Sequence, residues 1–312
     1  MSWIIDEIKK QAKKEPKKIV FPDCKDERVK EAYEIIKAEG IAVPFLLTQD
    51  KMETELQEEF ANIYYEKYPN RYSFEEVREL MEDPLYYAAM SVRTGRMDGF
   101  VAGASYTTSA VARAAMRCLE LDPELNLISS CFIMSVPDCN YGARGVFIYA
   151  DCGIIPYPTA EQLSSIAISS SRFTKKVLGI DPRVAFLSFS TKGSAQGRWI
   201  DKVKEATRIT QEKVPTLLVD GELQADSALD SDVAKRKLPS SPVAGKANVL
   251  IFPNLDAGNI AYKLTQRLAN ARALGPVLLG VNQPCNDLSR GCSVEDIVDC
   301  AAITVVRAQK KA

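Results

Sequence analysis

The segment from Asn286 to Val298, NDLSRGCSVEDIV, gathers a hydroxyl, a guanidinium, a glycine, a thiol and carboxylates within a few residues. The chain contains no histidine. Any acid–base step must therefore run without imidazole, the usual choice near neutral pH. Ser293-Val294-Glu295-Asp296 has the form of a helix capping box, with Ser293 at the cap and Asp296 three residues on. Asp296 is thus a candidate cap and a candidate general base, and the spacing leaves both open. Ser289 and Arg290 fall just before the helix, near its positive end, where anions bind well. Arg290 can grip a phosphate through two parallel hydrogen bonds. An anion site is expected here. Cys292 invites a covalent thioester route, against which stands simple packing of a small residue under the helix start.

Other strand ends carry small and polar residues. STKGSAQG, residues 190–197, offers hydroxyls, Lys192 and Gly193 to an anion. It lacks the order of a Walker loop, so Ser190, Thr191, Lys192, Gly193 and Ser194 read as a phosphate-binding loop or as an ordinary polar turn. VAGKAN, residues 243–248, sets Lys246 just before a strand. In VAGASYTTSAVARAA, residues 101–115, Arg113 lies inside a helix and faces either a cleft or solvent. Asp256 reads as the cap of a helix that follows the strand at 249–252.

These residues need a scaffold. The 312-residue length suggests two domains. A net charge of −1 gives no field to recruit nucleic acid or an anionic membrane. The eight cysteines form no C-x-x-C pair, so reduced thiols in a cytoplasmic protein are expected. No apolar run is long enough for a membrane span, and the N-terminal residues do not have the pattern of a signal peptide.

Short apolar runs alternate with amphipathic stretches. Strands are expected at 18–21, 41–47, 99–102, 125–136, 146–149, 184–189, 217–219, 249–252 and 277–279. Helices are expected at 4–14, 27–38, 73–94 (one or a pair), 109–119, 159–177, 202–211, after 224, at 259–274 and at 293–309. Near-continuous apolar strands separated by helices predict a mainly parallel sheet covered on both faces. The polar stretch 137–145 is the best boundary. The fold expected is α/β, with two mainly parallel-sheet lobes and a cleft between them at the carboxyl ends of strands. Residues 1–143 with 285–312 form the first lobe and 144–284 the second.

Seven stretches then match a known family in register over almost the whole chain. They are DGFVAGASYTT (98–108), ISSCFIMSVPD (128–138), ADCGIIPYPTAEQL (150–163), RVAFLSFSTKGSA (183–195), VDGELQAD (219–226), SPVAGKANVLIFPNLDAGNIAYKL (241–264) and NDLSRGCSVEDIV (286–298). On these residues the chain resembles the phosphate acetyl/butyryltransferase family, phosphate acetyltransferase above all. The resemblance implies reversible acetyl transfer between coenzyme A and phosphate. It also implies lobes similar to the isocitrate/isopropylmalate dehydrogenase architecture, a homodimer, no metal, and CoA as substrate with no permanently bound cofactor. Carried over, Ser289, Arg290 and Asp296 are the catalytic set and Arg113 is a substrate-binding arginine. One departure stands out. YYEKYPNRYS, residues 64–73, replaces a more basic stretch, so Lys67 stands where a substrate arginine is expected, with Arg71 nearby. Lysine keeps the charge and loses the planar fork.

The family reading leaves alternatives: a propionyl- or butyryl-selective enzyme, or a non-catalytic relative. A nicotinamide-dependent dehydrogenase finds no G-x-G-x-x-G after a strand.

Overall fold

A computed structural model describes residues 2–309. In chain order the elements are α1 (Trp3–Ala12), β1 (Lys18–Phe21), α2 (Glu27–Ala38), β2 (Val43–Leu46), α3 (Thr54–Lys67), α4 (Phe74–Leu80), α5 (Pro84–Arg93), β3 (Gly99–Ala102) and α6 (Thr108–Cys118). There follow β4 (Ser129–Ser135), β5 (Val146–Ala150), α7 (Ala160–Phe173), β6 (Arg183–Leu187), α8 (Arg198–Lys213) and β7 (Leu218–Leu223). The remainder is α9 (Ala225–Leu229), α10 (Ser231–Lys237), β8 (Val249–Ile251), α11 (Leu255–Leu268), β9 (Arg272–Leu279), β10 (Cys285–Asp287) and α12 (Val294–Gln309). No helix among the described residues is long and apolar enough to cross a membrane.

The chain forms two compact units, Ile5–Asp122 with Val281–Ala312 and Met1–Ile4 with Pro123–Gly280. The divisions fall at 4/5, 122/123 and 280/281, where the sequence suggested 143/144 and 284/285. The stretch 137–145 connects β4 to β5, and those two strands pair antiparallel. That pairing keeps β4 with the second unit. Residue 1 and residues 310–312, the ends of the first expected lobe, lie outside the described residues.

In the first unit the strand order is β2-β1-β3-β10, all parallel. Ile19, Val20, Phe21, Phe100, Val101 and Ala102 are buried, as strands covered on both faces require. Strand β10 is one of the elements that the sequence reading missed. Its three residues, Cys-Asn-Asp, carry no β-branched or aromatic side chain. Tertiary contacts define it instead. Asn286 donates to the Thr304 hydroxyl of α12 at 2.7 Å, and Arg307 donates to the Cys285 carbonyl at 2.8 Å. Helix α12 is almost wholly buried from Ile297 to Val306, so β10 and α12 fix one another.

Local chemistry sets the helix starts. Asp83 caps α5 by accepting from Leu85 N at 2.8 Å, with Pro84 in the first turn where its missing N–H costs nothing. The expected helix at 73–94 is a pair, α4 and α5, broken at 81–83. Thr107 caps α6 by accepting from Ala110 N at 3.2 Å.

In the second unit the order is β9-β4-β5-β8-β6-β7. Strands β5, β8, β6 and β7 run parallel, and β4 is antiparallel to both β5 and β9. Thr159 and Gln162 form the expected capping box at α7. At α11 the cap is Asn254, which accepts from Ala257 N at 2.9 Å, and Asp256 lies inside the first turn. Phe132, Phe147, Leu187, Leu223, Val243 and Leu250 belong to one buried cluster in this unit.

Candidate active site

Three neighbouring parallel strands of the first unit, β1, β3 and β10, end on loops that lock together. Asp23, just past β1, is 3% exposed. It accepts from Gly103 N at 3.0 Å, from Ser105 N at 2.8 Å and from the Ser105 hydroxyl, so a buried carboxylate shapes the loop after β3. Leu288 N donates to the Ala102 carbonyl at 2.7 Å and carries the ladder into the loop after β10. Gly103 has φ of +121°, and a Cβ there would meet Asp287 Oδ1 at 2.5 Å and Leu288 backbone at 2.6 Å. Only glycine lets these strand ends approach so closely.

From that junction the chain turns through Ser289–Ser293 into α12. Cys292 N donates to the Ser289 carbonyl at 2.9 Å, and Gly291 N reaches Ser289 Oγ at 3.3 Å. Ser289 and Arg290 are both exposed, and the Ser289 hydroxyl and Arg290 guanidinium stand before the N-terminus of a sixteen-residue helix. The helix dipole and its unpaired N–H groups favour negative charge at this end. The capping box is present as expected. Asp296 Oδ2 accepts from Ser293 N at 2.9 Å, and Asp296 N donates to Ser293 Oγ at 3.2 Å. Asp296 is half-buried.

Cys292 is 7% exposed, and burial pushes its thiol up to about 11. A neutral thiol is a poor nucleophile, since the thiolate is the reactive form. Packing is the role this position favours.

Arg113 is exposed on α6, whose opposite face buries Val111, Ala114, Ala115 and Cys118. Lys67 ends α3, an element the sequence reading did not anticipate. It lies in the electrostatic neighbourhood of Arg93, Glu120 and Cys118, at the far end of α6 from Thr107. The eleven residues of α6 span about 16 Å. Lys67 thus lies toward the Cys118 end of α6, and Thr107 with the loop after β3 lies at the other end. Partial desolvation, with the Arg93 guanidinium adding to it, holds its ammonium below the ordinary lysine value. Arg71 sits over the ring of Tyr72, 5.6 Å from its centroid.

In the second unit the loop 190–194 is closed on the protein's own carboxylates. Glu222, 1% exposed, accepts from Ser190 Oγ at 2.9 Å and from Gly193 N at 2.8 Å. Lys192 pairs with Asp220 and donates to the Gly221 carbonyl at 2.8 Å. Thr191 donates to Gln224 Oε1 at 3.2 Å, and Ser194 Oγ accepts from Thr191 N at 3.0 Å. The donors expected to hold an anion are thus engaged within the unit. Lys246 is exposed before β8.

The family model described as phosphate acetyl/butaryl transferase matches residues 3–305. The chain belongs to this family. It is 47% identical over 325 residues to a phosphate acetyltransferase of Acetivibrio thermocellus, covering 98% of each chain. Among solved structures it is similar to a phosphotransacetylase from Streptococcus pyogenes, with a TM-score of 0.90, 34% identity and 99% of each chain covered. A phosphotransacetylase from Staphylococcus aureus matches with a TM-score of 0.88, 34% identity and 98% coverage of each chain. The transferase family is one of enzymes, and the two α/β units carry its fold.

Two residues of this transferase fold escaped the sequence reading. Asp287 sits inside the segment 286–298, yet nothing about a strand-ending aspartate announces burial. It is 0% exposed, and neither carboxylate oxygen has a hydrogen-bond partner. Burial pushes its carboxyl up to about 7. The Thr108 hydroxyl pulls the other way without closing a hydrogen bond of ordinary geometry. Arg28 was invisible because its partners lie more than 260 positions away in the sequence, at Arg290 and Cys292.

Proposed function

We propose that this chain catalyses reversible acetyl transfer between coenzyme A and phosphate by direct thiolate attack, with no covalent acyl-enzyme. The observation that carries the reading is the 47% identity to a phosphate acetyltransferase across 98% of both chains. The Ser289-Arg290 turn ahead of α12 supplies the local chemistry.

In the direction that consumes acetyl phosphate, the CoA thiol gives its proton to Asp296 and its sulfur attacks the acetyl carbonyl carbon. The carbon–sulfur bond forms, and the carbon–oxygen bond to phosphate breaks with the electron pair leaving on phosphate. Ser289 donates to the carbonyl oxygen as it becomes an oxyanion, worth ~10²–10³ in turnover for a donor of this kind. Arg290 holds the phosphoryl oxygens and takes up the charge that develops there. A free carboxylate near ~4 and a thiol near ~8.5 stand roughly 6 kcal/mol apart for this proton transfer. The site must close that gap, and a cation beside the thiol contributes by stabilising the thiolate.

Arg113 and Lys67 are assigned to the anionic parts of CoA, with Lys67 serving a part distant from the acyl group because it stands at the far end of α6. Lys246 is an exposed candidate for a further anion contact. The loop of Ser190, Thr191, Lys192, Gly193 and Ser194 serves substrate through its shape, held by Glu222 and Asp220. CoA enters as substrate, and the enzyme acts in the cytoplasm.

Helix α11 exposes Ile260, Leu264 and Leu268, four residues apart, on one stripe. We assign this stripe to a homodimer contact. Sedimentation should show a dimer that Leu264→Glu converts to monomer. A wild-type monomer at micromolar concentration removes the assignment.

The acyl preference is tested by steady-state assays with acetyl-, propionyl- and butyryl-CoA plus phosphate. Acetyl-CoA should give the highest kcat/KM. A preference for butyryl-CoA would move the enzyme to the other branch of its family, and release of CoA from none of the three would leave a non-catalytic relative.

A further inference from the structure

Arg28 lies in the first turn of α2, and the chemistry above gives it nothing to do. Its guanidinium is fastened on one edge by Asp26. That carboxylate caps α2 through Arg28 N at 2.9 Å and accepts from Arg28 Nε at 3.1 Å and Nη2 at 2.7 Å. The other edge faces backbone. Arg28 Nη1 donates to the carbonyl of Arg290 at 2.9 Å and to the carbonyl of Cys292 at 2.8 Å. Arg28 Nη2 also reaches the carbonyl of Ala104 at 3.3 Å. One planar group therefore joins the connections that follow β1, β3 and β10.

Besides the turn's own bonds from Cys292 N to the Ser289 carbonyl and from Gly291 N to Ser289 Oγ, its first three residues face solvent. Ser289, Arg290 and Gly291 are exposed, and a Cβ at Gly291 would meet nothing closer than Ser289 Oγ at 3.9 Å. Two carbonyls of this turn converge on a single nitrogen of Arg28, on either side of the glycine. Five N–H donors in a rigid fork suit this task, whereas an ammonium is a point charge on a flexible stem.

We propose that Arg28 is a positioning residue of the acyl-transfer reaction, bridging Asp26 to the Arg290 and Cys292 carbonyls and so fixing the backbone from which Ser289 and Arg290 present their side chains. The proposal rests on the roles given to Ser289 and Arg290 under Proposed function. Arg28 does not touch substrate in this assignment. Its loss lets the turn drift, and a displacement of about 1 Å costs on the order of 10²-fold in rate.

The test uses the full chain with Arg28→Lys, Arg28→Ala, Ser289→Ala, Arg290→Lys and the double variant Arg28→Lys/Ser289→Ala. Circular dichroism melts first establish that each is folded. Arg28→Lys should lower kcat by roughly 10- to 100-fold and leave KM for CoA within about threefold, the pattern of an interaction realised in the transition state. Methylguanidinium should restore part of the turnover of Arg28→Ala and none of that of Ser289→Ala. The double variant should be little worse than Ser289→Ala alone, because groups that act as one unit are not additive. A wild-type kcat in Arg28→Lys, a change confined to KM, or full additivity with Ser289→Ala would each overturn the proposal. Full activity in both Ser289→Ala and Arg290→Lys would bring down the underlying reading and the proposal with it. Impaired Ser289→Ala and Arg290→Lys beside a normal Arg28→Lys would bring down the proposal alone.

Discussion

Asp296 and Ser293 hold each other across the first turn of α12: Asp296 Oδ2 accepts from Ser293 N at 2.9 Å, and Ser293 Oγ accepts from Asp296 N at 3.2 Å. The side chain proposed as the base is thus built into the helix start. The cap fixes where the carboxylate stands, and proximity of this kind is what an acid–base step requires. The two roles separate on mutation. Asp296→Asn keeps an acceptor oxygen for the cap and loses the base, so kcat should fall ~10²–10⁴-fold with little change in melting temperature. Asp296→Ala should lose the same activity and in addition ~1 kcal/mol of stability. More than about a tenth of wild-type turnover in Asp296→Asn would remove the base role, given the usual size of that contribution.

Cys292 gives a second prediction. With the thiol pushed up to about 11 by burial, only ~0.1% is thiolate at pH 8. Alkylation by iodoacetamide at this position should be far slower than for a free cysteine. Cys292→Ser should keep most of the activity. Trapping of an acetyl group on Cys292 by acid quench would establish the covalent route instead.

Asp287 makes stability depend on pH. Its carboxyl stands at about 7 in the folded chain against 3.8 for the ordinary side chain, because burial penalises the charge. The folded state therefore binds more protons than the unfolded state between those values. By linkage, stability from this group is full below about 4, falls as pH rises, and levels off above about 7. The shift corresponds to ~4 kcal/mol at most, at 1.36 kcal/mol per unit. Asp287→Asn is close in shape and cannot ionise. Its melting temperature relative to wild type should rise between pH 5 and pH 8 in thermal scans. A difference that stays flat across that range would show that Asp287 does not titrate there.

Much of this was legible in the sequence because the governing interactions are local. The Ser293–Asp296 and Thr159–Gln162 boxes span four residues each, and the apolar runs KIVF and GFVA announce buried strands by composition alone. The hidden parts depend on distant residues. Strand β10 exists because α12 returns to cover it, and the Asp26–Arg28 pair meets its carbonyl partners only once β1 and β10 flank β3. The loop 190–194 had the composition of an anion site. Ser190 Oγ, Gly193 N and Lys192 instead meet Glu222 and Asp220, two residues of β7 whose strand partner is β6. Composition reports which donors are present, and only the fold says which acceptor reaches them first.

The most direct measurement is an initial-rate grid in which acetyl-CoA and phosphate are varied together, with both free CoA thiol and acetyl phosphate quantified. Direct attack within one complex predicts equal amounts of the two products and reciprocal plots that intersect. Parallel plots would establish a covalent acetyl-enzyme, and CoA release without acetyl phosphate would contradict transfer to phosphate altogether.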